Sequence, residues 1–247
     1  MGVAVLLFTL PSTPGKAQAD SIGHVPRLDL VKVGLTSTFA NVISLNYERV
    51  LDEDISVAMT VSYMLPVRPG TILDLSATDI TFGADRKLSG YYLTPEVKWF
   101  LETSDKRPAP RGLYVGAYLR YSDTRYTSSI TANGSGTDAG GSFESHLRID
   151  LYELGVGPSL GYQFLAWKDR LVFDCIFFAP RYSYYKLKLD ADLRGDGELY
   201  SELEQAIEDK LGRDIAPLDL EISTTGSTTV GRNSLGYRYG IKIGYAF

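Results

Sequence analysis

The sequence predicts an all-β protein: an eight-stranded antiparallel up-and-down transmembrane β-barrel with one short helix in its last extracellular loop. Three observations carry this. The final residues alternate strictly, with Leu235, Tyr237, Tyr239, Ile241, Ile243, Tyr245 and Phe247 at odd positions. Gly236, Arg238, Gly240, Lys242, Gly244 and Ala246 lie between them. Such a period is a strand with two unlike faces, one apolar and one small or charged. Seven further segments alternate in the same way. The connections between segments are short and long by turns, which is the asymmetry of a membrane barrel. No stretch approaches the ~20 apolar residues of a spanning helix, so any crossing must be by strands.

The elements follow in order. Residues 1–19 are expected to be a cleaved export signal. Residues 3–10 are apolar, Pro11 and Pro14 break the run, and Ala17-Gln18-Ala19 offers a cleavage site before Asp20. No Lys or Arg precedes the run, so a start further upstream is expected. Residues 20–247 form one domain. Its strands are expected over 28–38, 41–51, 55–65, 88–101, 112–127, 146–166, 171–187 and 232–247. Long loops are expected over 66–87, 128–145 and 188–231, and they should be extracellular. Strands five to seven continue past the membrane portion and should project as a sheet, with a bulge near Tyr152 and Glu153, where the apolar parity flips.

Aromatic spacing assigns the faces. Tyr63 is eight residues from Ile55, Tyr91 from Trp99, and Tyr237 from Tyr245. Eight residues on a tilted strand cover roughly 20 Å, close to an apolar band between two girdles. Tyr47, Trp99, Trp167, Tyr245 and Phe247 form the periplasmic girdle; Tyr63, Tyr91, Tyr121 and Tyr237 form the outer one. The opposite face then puts Lys32, Glu48, Glu96, Lys98, Arg120, Glu153, Asp174, Arg238 and Lys242 in the lumen. An eight-stranded barrel is just wide enough for side chains to fill. Nearly balanced charges there should pair, because unpaired buried charge is costly. A narrow ion path is the alternative.

The last loop holds the expected helix. Leu199, Leu203, Ile207 and Leu211 form one stripe, Ser201 and Glu204 a capping box, and Gly212 a stop. Just before it, Asp190, Asp192, Asp196 and Glu198 imitate part of a Ca²⁺ loop. Arg194 stands where an oxygen ligand belongs and Ser201 where the bidentate Glu belongs, so a solvated acidic turn is expected and no metal site. No cofactor is expected either: there is no phosphate loop, nucleotide fingerprint or His-rich spacing. Cys175 is the sole cysteine, which excludes a disulfide within the chain. The net charge of −5 argues against nucleic acid.

The terminal pattern Ile241, Ile243, Tyr245, Phe247 resembles the C-terminal signal read by the outer-membrane assembly machinery. The chain as a whole resembles the small eight-stranded outer-membrane barrels of the OmpA/OmpX/OmpW type. Leu45-Asn46-Tyr47-Glu48-Arg49, a short turn and Ile55-Ser56-Val57 resemble Bacteroidota outer-membrane barrel domains of unknown function. The resemblance implies a bacterial outer-membrane location, lipid and assembly machinery as partners, and a monomer without assigned catalytic residues. The function expected is structural or surface-interacting, through extracellular loops and projecting strands, toward an extracellular protein or surface ligand. A channel or conduit for small apolar solutes is one alternative, and a lipid-modifying enzyme is another. Outer-membrane lipid A deacylases place His two residues before Ser on a strand. Here Glu144, Ser145 and His146 are adjacent, so Ser145 and His146 face opposite sides and miss hydrogen-bond reach.

Overall fold

Alternating residues of high β-propensity, closed by tight turns, build a ring of eight antiparallel strands. The computed structural model describes residues 29–67, 80–82, 85–101, 109–133, 142–191 and 227–247. Around the ring run β1 (Asp29–Gly34), β2 (Val42–Val50), β3 (Ile55–Val67), β5 (Lys87–Phe100), β6 (Gly112–Asn133), β7 (Ser142–Ala166), β8 (Leu171–Ala191) and β9 (Ser227–Ala246). The ring closes where β9 meets β1, Tyr245 opposite Val31 and Ile243 opposite Val33. A short β4 (Ile80–Phe82) pairs with the upper part of β6, outside the ring.

Several boundaries differ from expectation. Residues 35–38, expected as strand, form a single helical turn, α1 (Leu35–Thr38), in which Ser37 and Thr38 hydroxyls donate to the Gly34 carbonyl. Such local side-chain bonds compete with a ladder and end β1 early. Strand pairing also invades the expected loops. β6 and β7 stay paired up to Asn133 opposite Ser142, within 128–145, and β8 and β9 up to Asp190 opposite Ser227, within 188–231. The β4 strand lies within 66–87. The helix expected over 199–211 and the export signal over 1–19 lie outside the described residues.

The bulge expected at Tyr152 and Glu153 is absent. β6 and β7 keep one register from Gly112 opposite Gln163 to Asn133 opposite Ser142. The irregularity sits on β8, between Ile176 and Ala179, where Phe177 and Phe178 are both exposed. The parity flip on β7 has another cause: the wall exchanges its faces. In the row of Tyr121, Leu154 and Tyr184 the outward residues are apolar or aromatic. Two rows higher they are Arg125, Asp150 and Lys188. Inside, the sequence reverses, from Ser122, Glu153 and Tyr185 to buried Tyr126, Ile149 and Leu189. The lower barrel is polar within and apolar without; the upper wall is the opposite.

Candidate functional site

The lumen of the lower barrel is the best-built polar constellation among the described residues. All nine residues expected there point inward, in three storeys. At the end with the short turns, Lys32 and Lys98 face Glu48, Asp174 and Gln163. Lys98 Nζ donates to Glu48 Oε2 at 2.9 Å, Asp174 Oδ2 at 2.8 Å and the Gln163 amide oxygen at 3.2 Å. Lys32 Nζ donates to the same carboxylates and to the same amide oxygen, the Asp174 contact at 2.7 Å. Each ammonium has three donors, and each finds three acceptors. Tyr114 donates to the other Asp174 oxygen at 2.7 Å, and Ser56 to the other Glu48 oxygen at 2.8 Å. Two cations and two anions form a closed, fully buried square.

Below the square the lumen is filled by apolar side chains. Leu30, Val50, Phe100, Ala109, Tyr114, Val172 and Ala246 make one buried apolar cluster. The segment holding Ala109 and Pro110 is tied across this end: the Ala109 amide donates to the Glu53 carbonyl at 2.7 Å, and Gln163 donates to the Pro110 carbonyl at 2.9 Å.

The second storey is looser. Arg238 donates to Glu96 Oε1 at 2.9 Å and stacks on the Tyr118 ring, 4.2 Å from its centroid. Ser159 donates to the same oxygen. Lys242 Nζ stands 3.7 Å from Asp174 Oδ2, beyond hydrogen-bond reach. Glu96 Oε2, Arg238 Nε, Lys242 Nζ and Asn46 Oδ1 are buried without a hydrogen-bond partner among the described residues. The third storey is tight again. Glu153 accepts from Arg120, Ser122, Ser183 and Tyr185, and forms an ion pair with Arg181 at 2.7 Å.

Gln163, Tyr114 and Arg181 were not foreseen in this network. For Gln163 the signal was present: it alternates inward from Tyr162 and Phe164, a polar residue on the small face of β7. Arg181 was hidden by the bulge before it, which reverses parity.

The expected girdle residues lie outside. Tyr47, Tyr63, Tyr91, Trp99, Tyr121, Trp167, Tyr237, Tyr245 and Phe247 are all exposed. Tyr63 pairs directly with Tyr91, whose ring is 6.0 Å from that of Tyr121. Tyr47 and Tyr245 flank Val31 at the other end. Ile241 and Ile243 continue the outward stripe of β9 above Tyr245. Of the acidic candidates, Asp190 is in β8, with Lys188 Nζ 3.0 Å from its carboxylate; Asp192, Asp196 and Glu198 lie outside the described residues. Ser145 and His146 are consecutive in β7, opposite Ile130 and Ser129.

No protein-family model matches the chain, and no curated protein is significantly similar to it. Among solved structures, CarO of Acinetobacter baumannii aligns with a TM-score of 0.38 and 12% identity, over 90% of this chain and 98% of that one. CarO2 of Acinetobacter baumannii aligns at 0.36 and 13%, over 90% and 99%. The outer membrane protease OmpT of Escherichia coli aligns at 0.30 and 11%, over 89% and 92%. Likenesses this distant carry no inference about the chemistry of the present chain.

Proposed function

We propose that the chain is a monomeric, integral outer-membrane barrel without enzymatic activity, closed to solute flow, which acts through the strands and loops outside the bilayer. One observation carries this: the exchange of faces along β6, β7 and β8. A wall that is apolar outside up to Tyr121, Leu154 and Tyr184, and polar outside from Arg125, Asp150 and Lys188 onward, matches a boundary between hydrocarbon and water. The exposed aromatic and aliphatic belt below it would be an aggregation hazard in water. The closed lumen is supported by the charge square and by the apolar seal beneath it. The end with the long connections is then extracellular, and its projecting strands would meet a protein or surface ligand.

Two measurements test this together. Full-length protein folded in detergent should migrate faster on SDS gels before heating than after. Identical mobility would overturn the barrel in the membrane. In planar bilayers the protein should leave conductance at the level of bare membrane; stable unitary steps would overturn closure. A second reading, a narrow polar conduit, is favoured by the unpartnered Glu96, Arg238, Lys242 and Asn46 atoms of the middle storey, and the same conductance trace decides it.

A further inference from the structure

On the outer surface of β6 and β7, two arginines are held side by side by one carboxylate. Arg125 Nε donates to Asp150 Oδ1 at 2.6 Å and Arg148 Nε to Asp150 Oδ2 at 2.9 Å. The Asp150 side chain is 3% exposed, while those of Arg125 and Arg148 are 46% and 45% exposed. Both guanidinium groups therefore spend Nε on the aspartate. Their terminal nitrogens have no other hydrogen-bond partner among the described residues and remain open to the outside. A planar fork with open terminal N–H groups suits a phosphate oxygen pair. Two such forks fixed by one shared carboxylate are ordered before a ligand arrives, which lowers the cost of binding.

Their height selects the ligand. Arg125 follows Tyr121, the outer aromatic residue of β6, by four residues on the same face. On a strand tilted by ~40° that is about 10 Å along the membrane normal. The headgroup layer extends roughly 5–7 Å beyond the hydrocarbon, and the Arg125 side chain spans the difference. Arg148, opposite Thr127, stands two residues higher, and its bond to Asp150 turns its guanidinium back toward Arg125. Lys186 and Lys188 lie outward on the next strand, beside Tyr152 and Asp150, and Asp123 and Asp190 lie near them.

We propose that Arg125 and Arg148, organised by Asp150, bind the phosphate of an anionic lipid headgroup in the outer leaflet. This rests on the membrane reading above. The test uses full-length protein folded in detergent, offered phosphatidic acid or phosphatidylcholine, with lipid retention read by native mass spectrometry. The wild type should prefer phosphatidic acid by about tenfold or more, the worth of one strong charged contact. The double variant Arg125→Gln, Arg148→Gln should lose that preference, and the milder Arg148→Gln should lose most of it. Asp150→Asn keeps both cations but releases them, and should weaken retention several-fold. Millimolar inorganic phosphate should not displace the lipid. Equal retention of both lipids by the wild type, an unchanged preference in Arg148→Gln or Asp150→Asn, or full displacement by free phosphate would each overturn the assignment. Loss of heat-dependent mobility in the wild type would instead overturn the membrane barrel itself.

Discussion

Replacing Lys98 by methionine removes one corner of the charge square while nearly preserving side-chain length. Three hydrogen bonds vanish, to Glu48, Asp174 and Gln163, together with the stacking of the ammonium on Tyr114 at 4.4 Å. Lys32 is left as the only cation hydrogen-bonded to two fully buried carboxylates, with Lys242 at 3.7 Å from Asp174. Removing one partner of a buried ion pair strands the other charge, at a cost of about 3–5 kcal/mol. That is two to nearly four decades in the folding equilibrium, at roughly 1.4 kcal/mol per decade. For a urea slope of about 2 kcal/mol per molar, the midpoint should fall by about 2 M. Unfolding is read as the loss of the fast-migrating gel band in protein reconstituted in phosphatidylcholine vesicles. The double variant Lys98→Met, Glu48→Gln restores the one-to-one charge ratio, so its loss should be smaller than the sum of the two single losses. A Lys98→Met protein within 1 kcal/mol of wild type would refute the reasoning, because that is the worth of a solvated pair.

Other consequences can be checked as directly. In a Cys175→Ala background, single cysteines at Leu154 and Val156 should resist a charged maleimide in vesicles, while one at Arg148 should react; equal labelling would remove the face exchange as a membrane boundary. Gly157→Ala should destabilise the fold by about 1–3 kcal/mol of overpacking, because its new Cβ would lie 1.9 Å from the Pro180 carbonyl oxygen. A band-shift assay matching wild type would contradict that contact. Asp85 accepts from the Ser129 amide at 3.0 Å and from its hydroxyl, and these bonds hold its carboxyl below the usual range. The contact is thus fully present above pH ~4 and lost as pH falls through the lowered folded value. Ser129→Ala should raise the NMR titration midpoint of Asp85; an unmoved midpoint would remove the Ser129 hydroxyl as a cause.

Period two made most of this barrel legible. Alternation with aromatic ends located all eight ring strands and turned the charged residues inward, since Glu96 and Lys98 alternate with Val97 and Trp99. Three things were not legible, each for a physical reason. The turn at 35–38 rests on two hydroxyls bonding one carbonyl, a choice that β-branched propensity does not reveal. The bulge at Phe177 inserts one outward residue among others that are equally apolar. The face exchange was seen only as a flaw in the pattern of β7. A strand reading Leu147, Ile149, Leu151 and then Leu154, Val156 does change parity. Either a backbone irregularity or a change of surroundings produces that change, and only the register with β6 and β8 separates the two. The charge square, by contrast, needs strands far apart in sequence, and Lys32 reaches Asp174 only because the ring closes.

The strands of that ring are unequal, from six residues in β1 to 25 in β7. A cylinder of equal staves looks the same from every side. This one has a low front, formed by β1 and β2, and a high back, formed by β6 to β9. Rotation about the membrane normal therefore becomes something a neighbour can sense. In the proposed membrane setting, the described strands offer a neighbour in the leaflet a short rim from one direction and a tall charged wall from the other. If the barrel sits in a membrane as proposed, encounters at the membrane surface acquire a compass bearing, set among the described residues by strand length.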